Sequence, residues 1–137
     1  MTTALATSVA EVVVDSSVVL ACINREPGFE AWLTLLEDAA CSANNIAEIV
    51  AKLTVKGVMP SHAARVIAAF EFDVHPVDHD DALAIGGLHA VTSPFGLSLG
   101  DRSCLVLGKR LGLPVVTADR IWSEVADLVG VEIRQIC

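Results

Sequence analysis

Residues 97–122 read LSLGDRSCLVLGKRLGLPVVTADRIW. Asp101 opens an apolar stretch that runs to about Leu111, and Gly112 closes it as the residue type that ends helices in a left-handed turn. PVVTA (114–118) follows, a short β-branched run of the kind that forms a strand buried on both faces, and it finishes on Asp119. The stretch thus predicts a helix, a glycine turn and a buried strand in immediate succession.

Working outward, EVVVD (11–15) repeats the pattern of a valine run ending on an acid. Ser16 and Ser17 are expected to cap a helix from Val18 to about Asn24, and Pro27 to take the first position of the next. Trp32, Leu35, Leu36 and Ala39 fall at helical spacing within Phe29–Ala39, and a short strand is placed near Ala40–Ala43. Asn44 or Asn45 is expected to cap a helix with the stripe Ile46, Ile49, Val50 and Leu53, ended by Gly57. Pro60 and Ser61 open another, from Ala63 to about Phe70. DVHPV (73–77) reads as a short strand that its proline confines to an edge or a strand end. Asp78, Asp80 and Asp81 start a helix to about Ala90, where their charge suits the helix dipole. A loop over 92–100, a short helix over 123–129 and a last strand, VEIRQI (131–136), complete the series. Strands alternating with helices predict a three-layer α/β fold on a parallel or mostly parallel sheet. No repeat or linker interrupts it, so residues 1–137 are expected to form one domain, with 1–10 as a short frayed leader.

Composition narrows the class. Hydrophobic residues make up 53% of the 137 positions and charged residues 19%, which excludes an apolar-poor disordered chain. No run approaches the roughly 18 apolar residues of a membrane helix, and the start lacks the basic segment of a signal peptide, so a cytoplasmic protein is expected. Cys22, Cys41, Cys104 and Cys137 form no CxxC pair and read as reduced, mostly buried thiols. A formal charge of −8 argues against broad affinity for nucleic acid, which rests on Lys and Arg contacts to phosphate. It leaves a nucleic-acid enzyme open, because a metal site needs carboxylates. No GxGxxG or GxxxxGK[ST] loop is present. The dipeptide His79–Asp80 lacks the further histidines of a metal phosphohydrolase, and Ser17 stands where a dehalogenase-like phosphatase needs a second Asp.

In open parallel sheets, ligands bind beyond the carboxyl ends of the strands. Asp15 and Asp119 each follow such an end. Asp101 at a helix start and Glu48 in the first turns of its helix can face the same edge. Singly, each acid has an ordinary reading: Asp15 and Asp101 as helix caps, Glu48 as a solvated residue, Asp119 as a turn. Together they would raise one another's pKa, and a hard divalent cation such as Mg²⁺ or Mn²⁺ resolves the repulsion with oxygen ligands.

On these residues the chain resembles the PIN-domain ribonucleases, and within them the VapC-type toxins of toxin–antitoxin pairs. The run 97–122 carries the most specific part of the resemblance, with VVVDSSVVLA (12–21) and NNIAEIVAKL (44–53) beside it. The resemblance puts Asp15, Glu48, Asp101 and Asp119 on the family's four acidic positions, with Asp15 and Asp101 foremost as metal ligands and Glu48 as ligand or general base. It implies about five strands, Mg²⁺ or Mn²⁺ dependence, and metal-activated water attacking single-stranded or looped RNA to leave a 5′-phosphate and a 3′-hydroxyl. It also implies a homodimer and a VapB-type antitoxin that offers Arg or Lys to the carboxylates and apolar residues to the helices around 20–36.

Ser17 or Thr117 would then orient ligands or water, or else simply cap and bond within the fold. Arg102 and Arg120 would steer phosphate oxygens or pair with the crowded acids. Lys52, Lys56, Arg65, Lys109 and Arg110 form either an RNA track or a scattered solvated face. With no Tyr, four Phe and two Trp, a base-stacking platform is thin, and Trp122 reads as core or dimer interface. A catalytically weak PIN-like module that holds RNA or protein is the competing reading, and a metal-dependent phosphatase the third.

Overall fold

The computed structural model describes residues 9–136. Five strands form one sheet in the order β3-β2-β1-β4-β5, and every neighbouring pair is parallel. They are β1 (Val13–Val14), β2 (Ala40–Ser42), β3 (Asp73–His75), β4 (Val115–Thr117) and β5 (Ile133–Gln135). Helices α1 (Ser16–Ile23) and α2 (Phe29–Leu35) join β1 to β2, and α3 (Ala43–Val55) and α4 (Pro60–Ala68) join β2 to β3. Helices α5 (His79–Gly87), α6 (His89–Thr92) and α7 (Leu99–Leu111) lead to β4, and α8 (Ala126–Val129) leads to β5. The expected three-layer α/β/α architecture with an all-parallel five-stranded sheet is what forms.

Side-chain alternation explains the layers. Val12 and Val14 of the β1 run and Val116 of β4 enter one buried cluster with Val18, Val19, Ile49 and Ala63, the inner faces of α1, α3 and α4. Val13 and Val115 point the other way, into a cluster with Cys104, Leu105, Leu107 and Trp122. A strand buried on both faces has no polar side to alternate with, which is why it reads as a continuous valine run. Gly108 lets α7 lie close on the sheet, since a Cβ there would collide with Val115 Cγ2. Trp122 is fully buried and belongs to this core.

The chain leaves β1 toward β2 on one side, while β4 pairs on the other, so the carboxyl ends of β1 and β4 flank the point where strand order reverses. Crevices form at such points.

Several local expectations are corrected. Ser16 and Ser17 lie inside α1 rather than capping it, and Asp15 holds the N-cap position without a side-chain cap bond. Gly28 at φ 95° precedes α2, which Pro27 therefore does not open, and α2 ends at Leu35 rather than Ala39. Ser42 caps α3 by accepting from the Asn44 N–H, in place of Asn44 or Asn45. The expected helix to Ala90 ends at Gly87, and the expected 92–100 loop holds the end of α6 and a 3₁₀ turn at Ser93–Phe95. Ser98, not Asp101, caps α7. The expected 123–129 helix divides into a 3₁₀ turn, Arg120–Glu124, and α8. The 1–10 leader lies largely outside the described residues, as does Cys137; Cys22, Cys41 and Cys104 are free and buried, as expected. Among the described residues, no single helix is long and apolar enough to cross a membrane.

Candidate functional site

Asp15 follows β1 directly and is 2% exposed. Its Oδ2 accepts from Ser17 Oγ at 2.6 Å and from Thr117 Oγ1 at 3.0 Å. Its Oδ1 is buried and has no hydrogen-bond partner among the described residues. Burial chiefly pushes the Asp15 carboxyl up from 3.8 to about 6; the Ser17 hydroxyl opposes this, the Asp101 charge adds to it, Thr117 opposes and Glu48 adds. Two hydroxyls hold one oxygen, and the other is left as a buried acceptor that a proton, a water or a cation would satisfy.

Asp101 is the third residue of α7 and half of a capping box: its Oδ2 accepts from the Ser98 N–H at 2.8 Å, and Ser98 Oγ accepts from the Asp101 N–H at 3.2 Å. Burial raises its pKa, the Ser98 bonds lower it, and Glu48 and Asp119 raise it again. Glu48 stands on α3 with its carboxylate packed on the α7 backbone. A Cβ at Gly100 would lie 2.7 Å from Glu48 Oε1 and 2.8 Å from Cδ, so a larger residue at 100 would occupy the carboxylate's seat. Asp119, exposed, caps the 3₁₀ turn by accepting from the Ile121 N–H at 3.1 Å, and its carbonyl accepts from Gln135 Nε2 at 3.0 Å.

The four acids line one cleft together with Ser16, Ser17, Ser98 and Lys52. Among the described residues, no three His, Cys, Asp or Glu side chains stand close enough together to hold one ion. The acids therefore share a cleft and one another's fields without forming a closed ligand cage. The donor set still fits a hard cation: it is all oxygen, it includes a buried unpartnered carboxylate atom, and its acids repel.

Ser17 and Thr117 are both placed against Asp15, and each also ties down the β4 end. Ser17 Oγ accepts from the Ala118 N–H at 3.0 Å, and Thr117 Oγ1 accepts from the Asp119 N–H at 3.1 Å. Arg102 donates from Nη1 to the Ile85 carbonyl at 3.0 Å and from Nε to the Ser98 carbonyl at 3.4 Å. Neither Arg102 nor Arg120 forms an ion pair among the described residues, and Arg120 is exposed outside the cleft lining.

Three contributors escape the sequence reading. Ser98 was visible in principle, as a serine three residues before an acid at a helix start. Gly100 looks like a loop glycine until Glu48 is seen against it. Asn45 is fully buried and donates to Ser16 Oγ at 3.0 Å and to the Gly100 carbonyl at 3.1 Å, pinning α1, α3 and α7 together beneath the cleft; nothing local marks a buried asparagine.

Comparison with known proteins adds the following. The PIN domain family model matches residues 12–128. No curated protein sequence matches significantly. Among solved structures, the chain is similar to the DNA-bound VapBC of Salmonella typhimurium, at TM-score 0.70 and 18% identity, covering 93% of this chain and 99% of that one. It is similar to a toxin–antitoxin complex from Klebsiella pneumoniae, at TM-score 0.63 and 18% identity over 91% of this chain and 99% of that one. A VapBC-5 structure from Mycobacterium tuberculosis is matched at TM-score 0.60 and 21% identity, with 92% and 99% covered.

Proposed function

The chain belongs to the PIN domain family, and from that premise we propose that it is a metal-dependent endoribonuclease acting as the toxin of a toxin–antitoxin pair. The observation that carries the reading is the cleft at the reversal of strand order, lined by Asp15, Glu48, Asp101 and Asp119, with Asp15 Oδ1 buried and unpartnered. These four residues would hold Mg²⁺ or Mn²⁺. When bound, the cation supplies charge neutralisation at the scissile phosphate and a water acidified for attack. The chain's own part is positioning. Ser17 and Thr117 fix Asp15, Ser98 fixes Asp101, Gly100 seats Glu48, and the Thr117 hydroxyl and Gln135 hold the backbone of Asp119. Asp15 must be ionised to ligate, which its raised pKa still permits near neutrality.

The partner is proposed to be a VapB-type antitoxin, a reading supported by fold relatives that are themselves VapBC and toxin–antitoxin structures. A homodimer is part of the same reading: Leu83, Val91 and Leu99 are exposed and give a second copy apolar surface to cover. The competing reading, a weakly catalytic module that holds RNA or protein, is favoured by the absence of a preformed three-ligand cluster among the described residues.

The test is incubation of the purified protein with single-stranded RNA in Mn²⁺ or Mg²⁺, in EDTA, and with Asp15→Asn and Asp101→Asn. Metal-dependent cutting lost in both variants supports the nuclease. An RNA that is bound but never cut selects the binding module.

A further inference from the structure

Among the described residues, Lys52 is the one cationic side chain that lines the acidic cleft. It stands four residues after Glu48 on α3, and residues at that spacing share a helix face. It is exposed, and no carboxylate lies within ion-pairing distance of it among the described residues. Four acids border the same cleft, so the Lys52 charge bears on the site although it forms no ion pair among the described residues.

The other cations are spent or elsewhere. Arg102 is bonded to two backbone carbonyls. Arg110 pairs with Asp81 at 3.7 Å, and Arg134 with Glu132 at 2.8 Å. Arg65 reaches His62 at 3.5 Å, and neither it nor Lys56, Lys109 or Arg120 borders the cleft. Of the five residues that a track along RNA would use, geometry leaves one at the site.

We propose that Lys52 contacts a phosphate of the bound RNA strand next to the acids, acting as a substrate-positioning residue. The inference rests on the nuclease reading above. A polyanion cannot enter a cleft of carboxylates without cationic help, and a bound metal ion acts at only one phosphate. A lysine on a flexible stem, one turn along α3, supplies a second contact as a mobile point charge. Being cationic, it also opposes metal loading. It must therefore weaken Mn²⁺ binding while strengthening RNA binding, two effects of opposite sign that a purely structural residue does not produce.

The experiment compares wild type with Lys52→Ala, Lys52→Arg and Lys52→Glu. Binding of a short single-stranded RNA is followed by anisotropy in Ca²⁺ across a salt series, Mn²⁺ affinity by calorimetry without RNA, and cleavage in Mn²⁺. Lys52→Ala is expected to weaken RNA binding roughly two- to fivefold, as removal of an exposed charge contact does. It should also flatten the slope of log affinity against log salt by about 0.7, one phosphate contact on a single strand. Mn²⁺ affinity should rise, melting temperature should not change, and cleavage should lose in KM more than in kcat. Lys52→Arg restores the salt slope, and Lys52→Glu loses more RNA affinity than Lys52→Ala. A wild type that cuts RNA, alongside a Lys52→Ala variant with wild-type affinity and slope, overturns the assignment of Lys52 alone. A wild type that neither binds nor cuts RNA in metal overturns the nuclease reading and this inference with it.

Discussion

Replacing Gly100 with alanine should separate function from stability. Gly100 is the second residue of α7, and it needs no left-handed backbone, so alanine suits its conformation. The new Cβ would sit 2.7 Å from Glu48 Oε1 and 2.8 Å from Oε2. Ordinary contact needs about 3.5 Å, so one group must move by roughly 0.7–1 Å. The atoms in the way are the far end of a flexible side chain, so Glu48 yields and the helix does not. The bond from Asn45 to the Gly100 carbonyl uses backbone and survives. Alanine also restricts the unfolded chain, worth about 0.4–1 kcal/mol when the native conformation is compatible. The expected result is a melting temperature unchanged or raised by roughly 1–3 °C. Cleavage should fall about 100-fold, the scale on which a misplacement of about 1 Å costs rate. Thermal melts in EDTA, Mn²⁺ calorimetry and single-turnover cleavage of single-stranded RNA measure the three. Activity and Mn²⁺ affinity both at wild-type levels would refute the role given to Glu48's seat. A melting temperature lowered by several degrees would show that backbone, not carboxylate, gives way.

Other perturbations follow from the same geometry. The Asp15 carboxyl holds its proton more tightly folded, at about 6, than unfolded, at 3.8. Its contribution to stability is therefore complete below the lower value and lost as pH rises through the upper one, about 3 kcal/mol in all. Asp15→Asn should abolish this loss and be the more stable protein near neutral pH in EDTA; urea midpoints that change with pH identically in both proteins would contradict it. By the same linkage, Mn²⁺ should raise the wild-type melting temperature above about pH 6 and fail to do so near pH 4, where Asp15 is protonated. Asn45→Ala should cost about 1–3 kcal/mol by stripping two buried bonds, seen as a lower urea midpoint. Gly108→Ala should cost a similar amount, since its Cβ would meet Val115 and the Leu113 carbonyl at 3.3 Å, and backbone there cannot swing aside.

The sheet was legible because its central strands are buried on both faces, and valine runs ending in acids have few other readings. Helix starts were less so. Ser42, Asn44 and Asn45 are all capping residues by chemistry, and which one caps depends on where β2 stops, which its pairing with β1 and β3 decides. Burial then drew Asn45 inward to a different task. Asp15 holds the cap position but spends its carboxylate on Ser17 and on Thr117, the latter a partner about a hundred residues away. A shorter separation, 17 residues, was enough to hide the fate of Arg102, whose Nη1 donates to a carbonyl on α5. Local pattern named the acids; only packing could show what holds them, and why Lys52 stands apart from the other cations.

The cleft is assembled from segments far apart in chain order. Its acids come from β1, α3, α7 and the end of β4, and β4 inserts beside β1 only after α7 has been made. On the ribosome, a nascent chain that ends before Val115 has three of the four acids but lacks the strand whose Thr117 pins Asp15. A chain that stalls or is clipped upstream of β4 lacks the hydroxyl that holds Asp15 and should be inert as well as unfolded. For a proposed nuclease whose substrate would surround it as it is translated, the topology works as a safety catch released only once β4 has been made.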